Sequence, residues 1–309
     1  MLLRFAKNPI LKPADTWWES NAVYNAAAVE FQNKILLLYR AQGPDWISRF
    51  GLAESLDGFH FKRLSNLPVV EPDINDPYAR LGVEDPRITQ IQDTYYITYT
   101  SASVYPATYA NKFIPNRSLF KEGVPWRIRI GMLETADFVK YDKLGFLSLS
   151  VDAKDAVLLP EKINGNFALL YRILPNMVIS YSPNLVNWTE PEFLLAPRFG
   201  SWDGEKVGAG SQPIKTKDGW LLFYHGVDKN KVYSLGALLL DLKNPRIILA
   251  RSKKPLLFPE KSYEKKGQVP NVVFTCGAIE KEDSYIVYYG GADRVICAAT
   301  IEKDLEKMF

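Results

Sequence analysis

One segment type recurs five times along the chain: a polar turn followed by an apolar run that ends in tyrosine. Gln32-Asn33-Lys34 leads into residues 35–39 and Tyr39, and Gln92-Asp93-Thr94 into residues 95–99 and Tyr99. Asn164-Gly165-Asn166 leads to Tyr171, Lys217-Asp218-Gly219 to Tyr224, and Glu282-Asp283-Ser284 to Tyr289. The turn residues suit tight hairpins, and the runs have the length and composition of strands. Further short apolar segments flank them, before the run at residues 26–31, 87–91, 212–216 and 272–276, and after it at 49–53, 127–131, 177–181, 235–239 and 295–299. Five units in 309 residues leave about sixty each, slightly more than a four-stranded propeller blade needs. The excess falls in loops, chiefly residues 104–125. Helical periodicity is confined to a short stretch at residues 302–308. A β-sandwich with extra strands would not explain a fivefold unit. The expected fold is therefore all-β, a five-bladed β-propeller with a central active-site channel. It would form one domain over residues 1–309, with a short N-terminal lead-in and a short C-terminal tail.

Composition narrows the function classes. The 16 Phe, 17 Tyr and 7 Trp favour strands and can also line a sugar site. A formal net charge of +3 is small for a nucleic-acid binder, and no basic run supplies what the total lacks. Any anion must be held by a few converging cations. Cys276 and Cys297 make neither a disulfide framework nor a zinc ribbon and read as buried thiols. The first ten residues hold no long apolar stretch and no run of eighteen apolar residues occurs, so neither a signal peptide nor a membrane span is expected. A cytoplasmic location follows as an expectation. Oligomeric state is left open, a homo-oligomer included.

In a propeller the inner strands converge on the axis, so distant residues can meet there. Asp85, in Gly82-Val83-Glu84-Asp85-Pro86-Arg87, lies at the start of such a strand. It can serve as the acid that a glycosidic oxygen needs to leave, though Asp-Pro also starts ordinary turns. The residue after each repeat tyrosine should be equivalent in every blade. These are Arg40, Thr100, Arg172, His225 and Gly290, three of which can be cationic. Lys206 precedes the Gly-rich Gly208-Ala209-Gly210, where a backbone can approach a ligand closely. Any one of these cations alone reads as an ordinary strand-end or loop residue. His60 and His225 show no metal-ligand spacing, and no nucleotide-binding glycine fingerprint occurs.

Taken together, Asn25 in Tyr24-Asn25-Ala26, the Glu84-Asp85-Pro86-Arg87 segment, Lys206 to Gly210, Tyr224-His225-Gly226 and Tyr289-Gly290-Gly291-Ala292-Asp293 resemble glycoside hydrolase family 130. The resemblance covers about residues 8 to 301. It departs at Ala26-Ala27, where the family often has Pro-Gly, and at Tyr171-Arg172-Ile173, where His-Arg-Pro is common. The family contains inverting β-mannoside phosphorylases and some β-mannosidases on five-bladed propellers. By that resemblance Asp85 is the proton donor, the proton passing in some members through the 3-hydroxyl of the mannosyl unit. Arg172, Lys206 and His225 match phosphate-binding positions, and a further arginine of that set falls at Arg127 or Arg129, with Arg129 preferred. Asn25, Arg49, Glu84 and Asp293 match the sugar-holding positions. Inorganic phosphate would be a co-substrate, and no cofactor or metal is expected.

Phosphate is already an anionic nucleophile, so a phosphorylase needs one acid and a cationic pocket, where an inverting hydrolase needs two carboxylates. A lone Asp85 facing Arg172, Lys206 and His225 therefore reads as phosphorolysis, giving α-mannose 1-phosphate and a shortened acceptor. The rivals are a β-mannosidase, with Glu205 as a candidate base, a non-catalytic sugar-binding propeller, and a related five-bladed glycosidase that would need a third channel carboxylate. Acceptor contacts are expected from Tyr105, Tyr109 and Phe113.

Overall fold

Strand after strand pairs antiparallel with its neighbour in sequence. A computed structural model describes residues 1–105, 126–147, 149 and 151–309, so Tyr109 and Phe113 of the expected acceptor loop lie outside the described residues. The first set comprises β2 (Ala22–Phe31), β3 (Lys34–Gln42), β4 (Ser48–Ser55) and the short β5 (Lys62–Arg63). The second is β6 (Gly82–Ile91), β7 (Thr94–Val104), β8 (Trp126–Thr135) and β9 (Asp142–Phe146), joined to the first by a parallel bridge between Ser48 and Gly82. The third is β10 (Lys154–Leu158), β11 (Phe167–Ile173), β12 (Asn176–Ser182) and β13 (Glu192–Leu195). In the fourth, β14 (Lys206–Ala209) and β15 (Ile214–Lys215) both pair with β16 (Trp220–Val227), followed by β17 (Tyr233–Leu240) and β18 (Ile248–Arg251). The last holds β19 (Val273–Glu280), β20 (Ser284–Gly291) and β21 (Val295–Glu302), and its outer edge is β1 (Leu3–Arg4) from the start of the chain. The one helix among the described residues is the four-residue α1 (Ser262–Lys265).

Two segments depart from the sequence expectation. Residues 212–216 hold only the two-residue β15, while the stretch from Lys206 into the Gly-rich segment forms β14, its backbone pairing with β16 from Lys206↔Val227 to Ala209↔Tyr224. The residues after β21 form turns and no helix, with Met308 buried.

The core lies between the sheets. Of five large apolar clusters among the described residues, four are each filled by two sets of strands adjacent in chain order, and the fifth joins the first set to the last through Val23, Ile35 and Tyr39 against Ile286, Tyr288 and Ile296. The innermost strands follow the same order: β6 packs on β2, β10 on β6, β14 on β10, and β19 on both β16 and β2. The repeat tyrosines are buried, and a buried phenol must find a partner. Tyr39 donates to Glu19, Tyr224 to Asp203 and Tyr289 to Glu264, while Tyr171 pairs with Ser180.

Glu264 ties the start of the chain to this core. Wholly buried, it accepts from Arg4 Nε at 2.7 Å, Tyr289 Oη at 2.8 Å and the backbone amides of Glu260 and Lys261. Burial pushes its pKa up, but the Arg4 hydrogen bond and the amides outweigh burial and leave it below the usual range. A depressed carboxylate stabilises the fold above its unfolded pKa and loses that contribution as pH falls through the folded value. Glu264→Gln should thus cost about 3–5 kcal/mol at neutral pH, narrowing in acid. Urea midpoints measured across pH check this, and a midpoint unchanged at pH 7 would contradict it.

Candidate active site

The chemistry-bearing residues share one level of the strand register. Each residue that follows a repeat tyrosine pairs with an inner-strand residue: Arg40 with Tyr24, Thr100 with Glu84, Arg172 with Lys154, His225 with Gly208 and Gly290 with Phe274. The next inner-strand residues are Asn25, Asp85, Asp155, Ala209 and Thr275. At the first three the pairing slips, and Asn25, Asp85 and Asp155 take φ values of 50°, 50° and 57°. A bulge with a left-handed residue re-aims a side chain that strand alternation would send elsewhere. Asn and Asp tolerate that conformation better than most residues. Neighbouring inner strands therefore bring these three polar groups together.

Asp85 is buried, and its Oδ1 accepts from Asn25 Nδ2 at 2.8 Å and Arg40 Nη1 at 3.1 Å. Lys154 Nζ lies 3.5 Å from its Oδ2, and Arg40 also donates to Glu84 at 2.6 Å. Arg87, wholly buried, donates to the carbonyls of Asp85, Ala209 and Gly210 and to Asp155 Oδ1 at 3.3 Å. Behind it, Arg172 Nη1 bridges Asp155 Oδ2 at 2.8 Å and His225 Nε2 at 3.1 Å. An arginine only donates, so Nε2 accepts and the ring carries its proton on Nδ1.

The electrostatics follow from this packing. Burial would raise the pKa of Asp85, but Arg40 first, then Lys154, Arg87 and the Asn25 hydrogen bond, hold it at about 2. With these cations at hand the carboxyl is ionised. It can act as an acid only when the surrounding cations are engaged elsewhere. Burial likewise lowers His225 well below its ordinary value, assisted by Arg172, Arg87 and Lys206 and opposed by Asp155. Asn25 Oδ1, Thr100 Oγ1, Asp155 Oδ2, Arg172 Nε and His225 Nδ1 are buried with no hydrogen-bond partner among the described residues, Asp155 Oδ2 being held by its ion pair with Arg172. Such orphans at one level suit a ligand rich in both donors and acceptors.

Lys154 and Asp155 correct the expectation of a lone carboxylate facing the cations. Asp155 sits among Arg87, Arg172 and His225 and is wholly buried. Its oxygens lie against cations, Oδ1 on Arg87 and Oδ2 on Arg172, which makes it their counter-ion. Lys154 is partly exposed beside Asp85 and adds a cation that the sequence reading passed over.

The other expected residues are distributed around this centre. The Lys206 ammonium lies 4.8 Å from the Tyr233 ring centroid, close enough to His225 to bear on its charge. Asp293 acts electrostatically on Arg40 and Tyr24. Arg49, near the start of β4, is held by Asp45 and Glu71, with Trp17 stacked 4.6 Å from its guanidinium. Arg129 is tied to Asp152 at 2.7 Å, and Tyr105 donates to the same carboxylate. Among the described residues no group of three His, Cys, Asp or Glu is arranged for a metal ion, and no helix is long and apolar enough to cross a membrane. Cys276 and Cys297 are buried free thiols.

Gly208 leaves room for this arrangement. A Cβ there would lie 2.5 Å from His225 Cε1 and 2.7 Å from Asp155 Oδ2. Gly208→Ala should therefore displace the His225–Asp155 pair and cost about 1–3 kcal/mol. Thermal melting together with phosphate binding checks this, and a variant unchanged in both would refute the packing argument.

A model of the family described as beta-1,4-mannooligosaccharide phosphorylase, Glyco_hydro_130, matches residues 4–308. The chain belongs to glycoside hydrolase family 130. Within this family it is 42% identical over 321 residues to a beta-1,2-mannobiose phosphorylase of Thermoanaerobacter sp. (strain X514), covering 99% of both chains. It is 40% identical, with 99% of each covered, to a 1,2-beta-oligomannan phosphorylase of the same strain. The solved structure of a beta-1,2-mannobiose phosphorylase from Listeria innocua with bound beta-1,2-mannobiose superposes with a TM-score of 0.84 at 28% identity over 99% of each chain.

Proposed function

We infer that this family 130 chain is a β-mannoside phosphorylase that splits β-1,2-linked mannosides with inorganic phosphate. One observation carries the reading: Lys154 pairs across the sheet with Arg172 and brings its ammonium to 3.5 Å from Asp85, so the buried acid and the cations adjoin. The preference for β-1,2 linkages rests on three relatives, each named for β-1,2-mannosides.

In this reading Asp85 protonates the glycosidic oxygen, so that the acceptor sugar leaves as an alcohol. Phosphate, held by Lys154, Arg172, Lys206 and His225, attacks C1 from the opposite face and inverts it, giving α-mannose 1-phosphate. Its charge engages the cations that keep Asp85 ionised, so phosphate binding and acid function are linked. Asn25, Arg49, Glu84 and Asp293 hold the non-reducing sugar. The fold that presents them is one five-bladed propeller over residues 1–309. This is supported by five sets of paired strands, the contact of β19 with β2, and β1 as the outer strand of the last set.

The test is product analysis with β-1,2-mannobiose, with and without phosphate. α-Mannose 1-phosphate and mannose are expected only when phosphate is present. Equal release of free mannose in its absence would favour a mannosidase and sink the proposal.

A further inference from the structure

We propose that Asp155 is a positioning residue that fixes the Arg172 guanidinium and, through it, the tautomer of His225, so that both offer donors to one phosphate. The inference rests on the reading above that this pocket binds phosphate.

Both Asp155 oxygens are turned to cations, Oδ1 to Arg87 and Oδ2 to Arg172, so the carboxylate bears on those side chains. Its place is built with care. It stands at the register position of Asp85, with the same left-handed backbone and the same slip in pairing. That bulge turns the carboxylate into the interior instead of along the sheet. There Oδ2 meets Arg172 Nη1 at 2.8 Å and lies 3.5 Å from His225 Nε2, while Oδ1 accepts from Arg87 at 3.3 Å. Gly208 supplies the space, since any Cβ at that position would strike both Asp155 and His225.

Two consequences follow for the donors. With Nη1 occupied by Asp155 and His225, Arg172 keeps Nε unpartnered, and His225, accepting at Nε2, keeps the Nδ1 proton unpartnered. Both leftovers are donors, and a phosphate has enough acceptor oxygens for both. Phe274, with its ring centroid 4.4 Å from that of His225, and Tyr233 on the same side hold the ring against rotation.

Electrostatics and positioning predict opposite signs, which makes the claim testable. A negative charge beside an anion site weakens anion binding, so if charge were all that mattered, Asp155→Asn would tighten phosphate binding. If Asp155 positions Arg172, the amide puts an NH2 group against the guanidinium and phosphate binding weakens. Asp155→Asn should raise the KM for phosphate about ten- to a hundredfold, the scale of one charge-assisted hydrogen bond, with the KM for mannoside within about twofold. A phosphate KM that stays the same or falls overturns the proposal.

A second measurement needs no variant. The chain has only two histidines, His60 and His225, so a ¹⁵N-histidine spectrum of the wild type is simple to assign. His225 should show the Nδ1–H tautomer, stay neutral well below the ordinary histidine range, and shift at Nδ1 when inorganic phosphate is added. An Nε2–H tautomer, or no response to phosphate, refutes the proposal even if Asp155→Asn does not fold. These binding readouts do not need turnover. A wild type that binds phosphate at His225 yet lacks phosphate-dependent cleavage would overturn the phosphorylase reading and leave the role of Asp155 standing.

Discussion

Asp85→Asn should slow phosphorolysis by about 10²- to 10⁴-fold, the usual contribution of a positioned general acid, while mannoside binding persists. Asparagine keeps the size of the side chain and one acceptor oxygen for Asn25 and Arg40, but it has no proton to give. Its amide NH2 also faces Lys154, which lies 3.5 Å from Oδ2 in the native site, so phosphate affinity may be read as a control on local geometry. The deficit should depend on the leaving group. A β-mannosyl fluoride departs with less protonation than an alkoxide, and the variant should recover most of its rate on it. Initial rates on β-1,2-mannobiose and on the fluoride, with calorimetric binding of the disaccharide, give all three quantities. Rates within threefold of wild type on mannobiose would remove Asp85 from the chemistry.

Much of this site could be located from the sequence because the repeat has a fixed internal distance. Asn25 and Asp85 each lie fourteen residues before their repeat tyrosines, Tyr39 and Tyr99, and Thr275 stands fourteen before Tyr289. Asp155 lies sixteen before Tyr171. Counting fourteen back from Tyr171 lands on Val157, two residues past Asp155, and the third unit gives little other warning. Its inner strand opens on Lys154-Asp155, and adjacent charges read as a solvated turn because such residues are seldom fully buried. What reverses that prior is Arg87, from the previous set of strands, and Arg172 from the next strand of its own. Neither neighbour can be inferred before the sheets are packed. The fourth unit misleads in another way: Gly208 lies inside β14 and Gly210 just past its end, at positions where a side chain would collide with His225 and with the carbonyl of Phe223. The alternation of the tyrosine strands is local and survives in the sequence, whereas the buried charge pairs are products of the tertiary fold.

Lys154→Met should separate the two duties of the cationic pocket. Loss of a partly buried charge that binds a phosphate costs about 2–4 kcal/mol, on the scale of truncating one partner of a charged pair, so the KM for phosphate should rise roughly 30- to 1,000-fold. Methionine keeps the length of the stem, and the β10–β11 pairing that carries it does not depend on the ammonium. The effect on acidity has the opposite sense. Lys154 is the second of the charges that hold Asp85 at about 2, after Arg40. Removing one adjacent cation returns about 1–3 units to a carboxyl group, and the catalytically active form of Asp85 is the protonated one. The alkaline limb of kcat at saturating phosphate should therefore move to higher pH in the variant. A wild-type protein measured at low and at high phosphate should show a smaller shift of kcat/KM for mannoside in the same direction, because bound phosphate engages the same ammonium. Full pH profiles at several phosphate concentrations would show both effects. If Lys154→Met leaves the phosphate KM unchanged and the limb in place, then Lys154 serves neither the anion nor the acid, and the adjacency of the two sites has no catalytic meaning.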